Sequence, residues 1–327
     1  MNRLLSGIAG LALAASCNVA ASVQSAWSEV YPSRPIQAIV PFAAGGGIDI
    51  ITRIFQPKME EFLGQPLVIQ NRPGAAGTIG TTSAARAAPD GYTLLFTLTP
   101  YVVNAHLYKQ LPYDPLRDFA PISLIATTPN ILAINPNVKA TSVMELIHLA
   151  KAHPGTLNYG TVGLGSAFHL AGALFSVMAD VNIVEVPYKG GPQAAADLLT
   201  GQVQIMFGNL PTMLPYIESG QLKALAVTSS KRLEIIPELP TVAESGVPGY
   251  EFETWFGVLA PAGTPHDKIH RLHEALRFAI ESPEVIKLSA AQGTYLAGNT
   301  PEQFSTFLQE DMIKWGGVIR QTGLEPK

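Results

Sequence analysis

The chain has 327 residues, of which 47% are hydrophobic and 14% charged, with a formal net charge of −4. That composition supports a large core and excludes an intrinsically disordered chain. The acidic balance argues against a nucleic-acid partner, and 29 glycines with 26 prolines imply many defined turns.

The N-terminus has the form of an export signal. Arg3 supplies the positive end, a short apolar run follows over 4–15, and Val19-Ala20-Ala21 fits a small-x-small cleavage site. The run is shorter than the roughly 20 residues a membrane span needs. Residues 1–21 are therefore expected to be removed, with cleavage as late as about residue 26 as a variant. Cys17 is the single cysteine and lies inside this segment, so the mature chain is expected to have no disulfide and no thiol nucleophile. Lipoprotein cleavage before Cys17 is the lesser alternative, because Ala14-Ala15-Ser16 lacks a large aliphatic residue three places before the cysteine. The product is expected to be soluble and periplasmic.

The first structural unit is Ile36-Gln37-Ala38-Ile39-Val40, β-branched enough for a buried strand. Pro41 and a glycine-rich loop follow. Then the period changes, and Ile48, Ile51, Phe55, Met59, Phe62 and Leu63 fall on one helical face. A second strand is expected over 67–70, a loop over 71–80 and an Ala-rich helix over 81–88, stopped by Pro89-Asp90-Gly91. A third strand covers 92–97. Apolar runs at 122–126 and 131–134 flank Thr127-Thr128-Pro129-Asn130. Alternating strands and helices imply a parallel sheet covered on both faces.

The pattern then restarts. A helix over 142–152, capped by Ser142 or Thr141, leads to a short strand over 157–160, a Gly/Ser loop over 161–169, and a helix carrying Leu170, Leu174, Val177 and Met178. Strands are expected at 182–186, 203–207 and 222–227, with helices over 193–199 and 212–218, closed by Gly201 and Gly220. A strand-like segment at 252–259 follows. Thr264-Pro265 starts a helix, and Thr300-Pro301-Glu302-Gln303 is a capping box. This C-terminal pair of helices, with no strand between them, is expected to pack on the first sheet. The organisation predicted is two α/β lobes: 27–129 plus 250–327, and 130–249, joined near Pro129 and Gly249.

Two loops stand out chemically. Strand, glycine loop and helix start together aim free backbone N–H groups at a small anion. The first loop comprises Phe42, Ala43, Ala44, Gly45, Gly46 and Gly47. It has no acid–base group, and no Lys-Ser or Lys-Thr follows, so it is not a Walker loop. Asp49 reads as a helix N-terminal residue. The second loop carries Thr161, Gly163, Gly165 and Ser166, with Phe168 and His169 just beyond. Phe168 stands where a dinucleotide fingerprint would need its third glycine. Ser166 and His169 suggest nucleophile and base, but no Gly-x-Ser-x-Gly elbow is present, so a secreted hydrolase is a remote alternative. Ser166 is expected to cap the helix and donate to an anion; His169 is divided between packing and ligand contact. Asn209, past a strand, faces either a cleft or a turn. Lys189, in Pro187-Tyr188-Lys189-Gly190-Gly191, could pair with an acidic ligand, with the surface slightly favoured. His266, His270 and His273 share a helical face, read as solvated surface and not a metal site.

At these residues the sequence resembles the periplasmic solute-binding proteins of tripartite tricarboxylate transporters, the Bug family. The resemblance runs over essentially the whole mature chain. It is carried by Val40-Pro41-Phe42 through Gly45-Gly46, Asn71-Arg72-Pro73-Gly74 with Gly77 and Ile79-Gly80, and Pro89-Asp90-Gly91-Tyr92-Thr93-Leu94-Leu95. Gly163, Gly165-Ser166 and His169-Leu170 continue it, as do Val186-Pro187-Tyr188-Lys189-Gly190, Leu239-Pro240-Thr241-Val242 and Ala260-Pro261-Ala262-Gly263-Thr264-Pro265. It implies a two-lobed type II periplasmic-binding-protein fold, each lobe a mixed, mostly parallel sheet flanked by helices. It also implies a ligand carboxylate held by the two glycine loops, partly through ordered waters, and delivery to membrane transporter subunits. Gly47 and Ile48 depart from the family pattern, where a small hydroxyl residue often follows; Phe168 departs by its ring. The function expected is a monomeric, non-enzymatic receptor for a small carboxylate, without cofactor or metal, with a sensory receptor as the alternative.

Overall fold

In the computed structural model, residues 31–322 are described. The expected export signal lies outside them. Residues 32–322 form one compact unit. Its first strand, β1 (Ile36–Val40), leads into helix α1 (Gly47–Leu63), which buries Ile48, Ile51, Phe55, Met59 and Leu63 on one stripe. Strand β2 (Leu67–Asn71), helix α2 (Thr78–Ala85), strand β3 (Thr93–Leu98) and helix α3 (Pro100–Leu107) follow. β1 pairs in parallel with β2 and β3.

Strand β4 (Phe119–Ile134) is 16 residues long and runs straight through the Thr127–Asn130 segment expected to separate two apolar runs. It changes partner along its length. Residues 119–129 pair antiparallel with β9 (Glu253–Pro261), which also pairs with β3. Residues 130–134 pair with β7 (Ile205–Asn209), and 131–134 also with β8 (Lys223–Val227). The change falls where Pro129 has no N–H to give a ladder. Asn130 stitches the junction, its N–H donating to Thr228 Oγ1 at 2.7 Å and its Nδ2 to the Phe207 carbonyl at 2.7 Å.

Between these lie helix α4 (Val143–Ala152), strand β5 (Asn158–Thr161), helix α5 (Ala167–Ala179), strand β6 (Val184–Pro187), helix α6 (Gly191–Thr200) and helix α7 (Leu210–Glu218). β5 pairs in parallel with β6 and β7. The full order is β2-β1-β3-β9-β4-β7-β5-β6, a mixed sheet flanked by helices. The outer strands of each half are parallel and the strands around β4 antiparallel, which is the two-lobed α/β fold.

Helices α8 (His266–Ile280), α9 (Pro283–Ala291) and α10 (Pro301–Thr322) close the chain, with the two-residue strand β10 (Tyr295–Leu296) on β4. The sequence expects two helices here without a strand. It misses α9, whose signal is Ser282-Pro283, and a strand too short for period-2 alternation to register. The helix at 81–88 starts instead at Thr78. Gly80 fits inside it because a Cβ there would lie 2.7 Å from both Pro41 Cα and the Arg72 carbonyl oxygen. The capping box is formed as expected: Thr300 Oγ1 accepts the Gln303 N–H and Gln303 Oε1 accepts the Thr300 N–H.

The aromatic core sits where α10 meets β9. The Trp255 ring meets Phe304 and Phe307 edge-on at 5.9 and 5.8 Å, and its Nε1 donates to Asp311 Oδ2 at 2.8 Å. Burial pushes the Asp311 carboxyl up, against the Trp255 bond. Gly257 of β9 lies flush under the Phe304 ring, so an added methyl group would overlap it. Gly257→Ala is expected to lower stability by about 1–3 kcal/mol, the usual cost of overpacking. Urea unfolding checks this, and an unchanged midpoint would contradict the packing.

Candidate functional site

Parallel pairing brings the carboxyl ends of β1, β2 and β3 to one edge, and those of β5, β6 and β7 to another. Ligands of open α/β sheets bind beyond such ends. Both glycine loops leave from them.

The first loop, residues 42–47, turns at Gly45, whose φ of +79° is a left-handed conformation suited to glycine. The Gly46 N–H donates to the Ala43 carbonyl at 3.2 Å. Beneath the loop lies Asp49, 2% exposed. Its Oδ2 accepts the Gly45 N–H and Arg53 Nε, both at 2.9 Å, and its Oδ1 accepts Asn71 Nδ2 at 2.9 Å. Asn71 Nδ2 also donates to the Phe42 carbonyl at 3.1 Å. Burial raises the Asp49 carboxyl, but the bonds from Arg53, Gly45 and Asn71 together outweigh it and hold the group below the usual carboxylate range. Asp49 thus builds the loop from inside, as its helix N-terminal position implies. Among the described residues, the N–H groups of Ala44, Gly47, Ile48 and Asp49 have no acceptor. They form the α1 N-terminus, a ready anion cradle.

The second loop is organised by different means. Gly163 and Gly165 take φ of +98° and +79°. The Gly163 N–H donates to Thr161 Oγ1 at 3.1 Å, and that hydroxyl donates to Glu185 Oε1 at 2.7 Å. The Gly165 N–H donates to His169 Nδ1 at 3.3 Å. Ser166 Oγ caps α5 by accepting the His169 backbone N–H at 3.3 Å. The N–H groups of Leu164, Ala167 and Phe168 have no acceptor among the described residues. They are the counterpart of the first loop's free donors.

A third loop, not among the predicted contacts, joins the two. Gly74, Ala75, Ala76 and Gly77 take four consecutive positive φ values, of 131°, 47°, 51° and 89°. Alanine in that region is strained, and such strain gathers at functional sites. The Phe42 ring lies on Gly77, where a Cβ would come within 2.9 Å of its Cζ. Asn104 Nδ2 donates to the Ala76 carbonyl at 3.0 Å. A methyl group on Gly165 would sit 3.0 Å from Leu107 Cδ1 and 3.9 Å from Asn104 Oδ1. Phe42, the third loop, α3 and the second loop therefore form one continuous patch. The buried Asn104 Oδ1 and Thr78 Oγ1 have no hydrogen-bond partner among the described residues. The signal was present as Pro73-Gly74-Ala75-Ala76-Gly77, a dense turn cluster between strand and helix.

The other predicted residues take these places. Phe168 is 9% exposed, and its ring lies against Gly191 in the core beneath α6. His169 is 2% exposed and holds the loop from inside, so neither side chain lines the patch. The Thr161 hydroxyl is committed on both sides, accepting the Gly163 N–H and donating to Glu185, whereas Ser166 Oγ accepts the His169 N–H as the expected cap and keeps its own proton. Ser166 Oγ meets the His169 main chain and not its imidazole, so the two do not make a nucleophile–base pair. Asn209 ends β7 opposite Asn130, half-buried, with no capping bond from its side chain. Lys189 is exposed on the turn after β6, beside the second loop. His270 faces Glu274 at 3.7 Å and His273 the Asn299 carbonyl at 3.2 Å. Among the described residues no cluster is placed to hold a metal.

The family model described as the tripartite tricarboxylate transporter family receptor matches residues 51–324. Protein BugT of Bordetella pertussis strain Tohama I is 40% identical over all of this chain and 99% of its own length. A solved structure described as R. palustris Rpa4515 with adipate is 36% identical with a TM-score of 0.80, covering 91% of this chain and all of that one. MatC from Rhodopseudomonas palustris with bound malate is 30% identical with a TM-score of 0.77, covering 88% of this chain and all of that one. The chain belongs to the tripartite tricarboxylate transporter receptor family, whose members are solute-binding receptors and not enzymes.

Proposed function

We propose that the protein is a periplasmic receptor that closes two lobes on a small carboxylated solute and delivers it to a tripartite membrane transporter. The observation that carries this is the pair of glycine loops with unpaired N–H groups, one on each side of the β4 partner change. The hinge in this account is that change at Pro129–Asn130 together with the return at Gly249, dividing the chain into 27–129 plus 250–327 and 130–249. A carboxylate bridging both loops favours the closed state through contacts the open state lacks. No helix among the described residues is long and apolar enough to cross a membrane. The adipate and malate bound by the two relatives support a carboxylate of a few carbons.

Helix-terminus attraction contributes roughly 0.3–1 kcal/mol per end, up to about 2 when partly buried. Micromolar binding needs about −8.2 kcal/mol. Backbone hydrogen bonds and the half-buried Phe42 ring supply the remainder. In a thermal-shift screen of aliphatic and aromatic carboxylic acids, adipate and malate included, at least one acid is expected to raise the melting temperature and its methyl ester to fail. At a hundred times Kd such a ligand adds about 2.7 kcal/mol. Absence of any stabilising acid would contradict the proposal.

A further inference from the structure

We propose that Glu185 is a positioning residue for the second loop, holding it from both sides so that the free N–H groups of Leu164, Ala167 and Phe168 meet the ligand. This rests on the proposed role of that loop in binding. Glu185 lies in the middle of β6, opposite Tyr159 of β5. Its Oε1 accepts the Thr161 hydroxyl at 2.7 Å, and its Oε2 faces His169 Nε2 at 3.7 Å. The direction of each bond is forced. Thr161 Oγ1 already accepts the Gly163 N–H, so its single proton goes to Glu185. His169 Nδ1 faces the Gly165 N–H, so it must be the bare nitrogen, and the ring proton sits on Nε2, towards Glu185. One carboxylate thereby sets the two partners that hold the two positive-φ glycines of the loop.

The arrangement requires a neutral His169. Burial lowers its affinity for a proton, and the Glu185 charge raises it by less. Among the described residues, the other groups lining the cavity beside the ring are neutral or paired. Tyr159 of β5 keeps its phenolic proton through burial. Lys151 of α4 and Asp180 at the end of α5 pair with each other at 3.6 Å. Gln321 of α10, which lines the same cavity, carries no charge. The cavity, of about 760 Å³, is lined by His169, Glu185, Lys151, Asp180 and Gln321. A second proton on His169 turns Nδ1 into a donor aimed at the Gly165 N–H and releases that side of the loop.

The test is Glu185→Ala and Glu185→Gln, read by the amide signals of Gly163 and Gly165 in the free protein and by adipate and malate titrations across pH. In Glu185→Ala both amide signals shift, and affinity for whichever acid binds the unsubstituted protein falls about tenfold or more. In Glu185→Gln the side-chain oxygen still accepts from Thr161, so the Gly163 signal is kept, whereas the amide NH2 now faces the His169 Nε2 proton, so the Gly165 side is held less well and affinity near neutral pH is only partly rescued. Removing the charge makes His169 harder to protonate, so the acid-side loss of Gly165 protection and of binding moves to lower pH. A residue that merely packs would not move that profile. Unchanged amide signals in Glu185→Ala, or an unmoved acid limb in Glu185→Gln, would overturn the inference. An unsubstituted protein that binds no acid overturns the carboxylate proposal instead, while the glycine amides still decide the role of Glu185.

Discussion

Asp49→Ala is expected to lower unfolding stability by about 2–4 kcal/mol and to remove ligand binding. The substitution takes away the acceptor for the Gly45 N–H, Asn71 Nδ2 and Arg53 Nε at once. A buried donor left without its acceptor costs about 1–3 kcal/mol. Arg53 is half exposed and recovers water, so its share is small. The sign of the pH dependence follows from the lowered carboxyl. A carboxylate held below its usual range stabilises fully above the unfolded value, near pH 4, and the gain is lost as pH falls through the folded value. The gap between the unsubstituted protein and Asp49→Ala should therefore be widest at neutral pH and narrow towards about pH 3. Urea unfolding at the two pH values measures this; a gap that is equal at both, or absent at neutral pH, would contradict the role given to Asp49.

Gly45→Val is expected to leave the fold standing and to weaken binding by about a hundredfold or more, equivalent to some 2.8 kcal/mol. A Cβ at Gly45 meets nothing within 4 Å, so the cost is not a clash. It is the φ of +79°, which a β-branched residue adopts only at a cost of about 1–3 kcal/mol. The exposed turn escapes that strain by flipping. The flip withdraws the Gly45 N–H from Asp49 and re-aims the donors of Ala44 and Gly47. Gly47→Ala is the control. Its φ is not in the left-handed region, and the added methyl would rest 3.7 Å from the Phe256 ring, so affinity should stay within a few-fold. Calorimetry separates the two. Gly46, the natural first target in a run of three glycines, carries less of the burden: its φ is −74° and its Cβ would approach the Ala43 carbonyl oxygen at 3.2 Å.

What could be foreseen divides along physical lines. β1 and α1 were readable because their periods are clean and their ends are marked by glycine. The restart of that pattern at β5 and α5 was readable for the same reason, and it is what made two opposed loops visible. β4 was not, because Thr127-Thr128-Pro129-Asn130 has turn composition while its structure is extended. Antiparallel partners on both sides impose that conformation, and no local propensity reveals them. α3 was missed because Pro100 follows the strand after a single residue, leaving no room for a loop. In the second loop the residue types were legible and Ser166 caps α5 as expected, while ligand contact and loop scaffolding could not be told apart from sequence. Thr161, Ser166 and His169 are polar groups beside a glycine turn, which suits ligand contact and loop scaffolding equally. Burial decides between them, and burial depends on β6 and α6, distant in sequence. Glu185 was invisible for the same reason: alone in a short strand, it gains meaning from the Thr161 hydroxyl and the His169 imidazole that the fold brings to its two oxygens.

At the centre of the proposed function is a carboxylate seated between residues 42–47 and 161–168. The measurement that tests this placement most directly is a crystal structure of the protein with the acid that stabilises it most. Carboxylate oxygens are expected within hydrogen-bond distance, directly or through one water, of free N–H groups on both loops, with Phe42 against the ligand body. An acid seated instead in the cavity lined by His169 and Glu185, or touching only one loop with the other left to solvent, would contradict this placement.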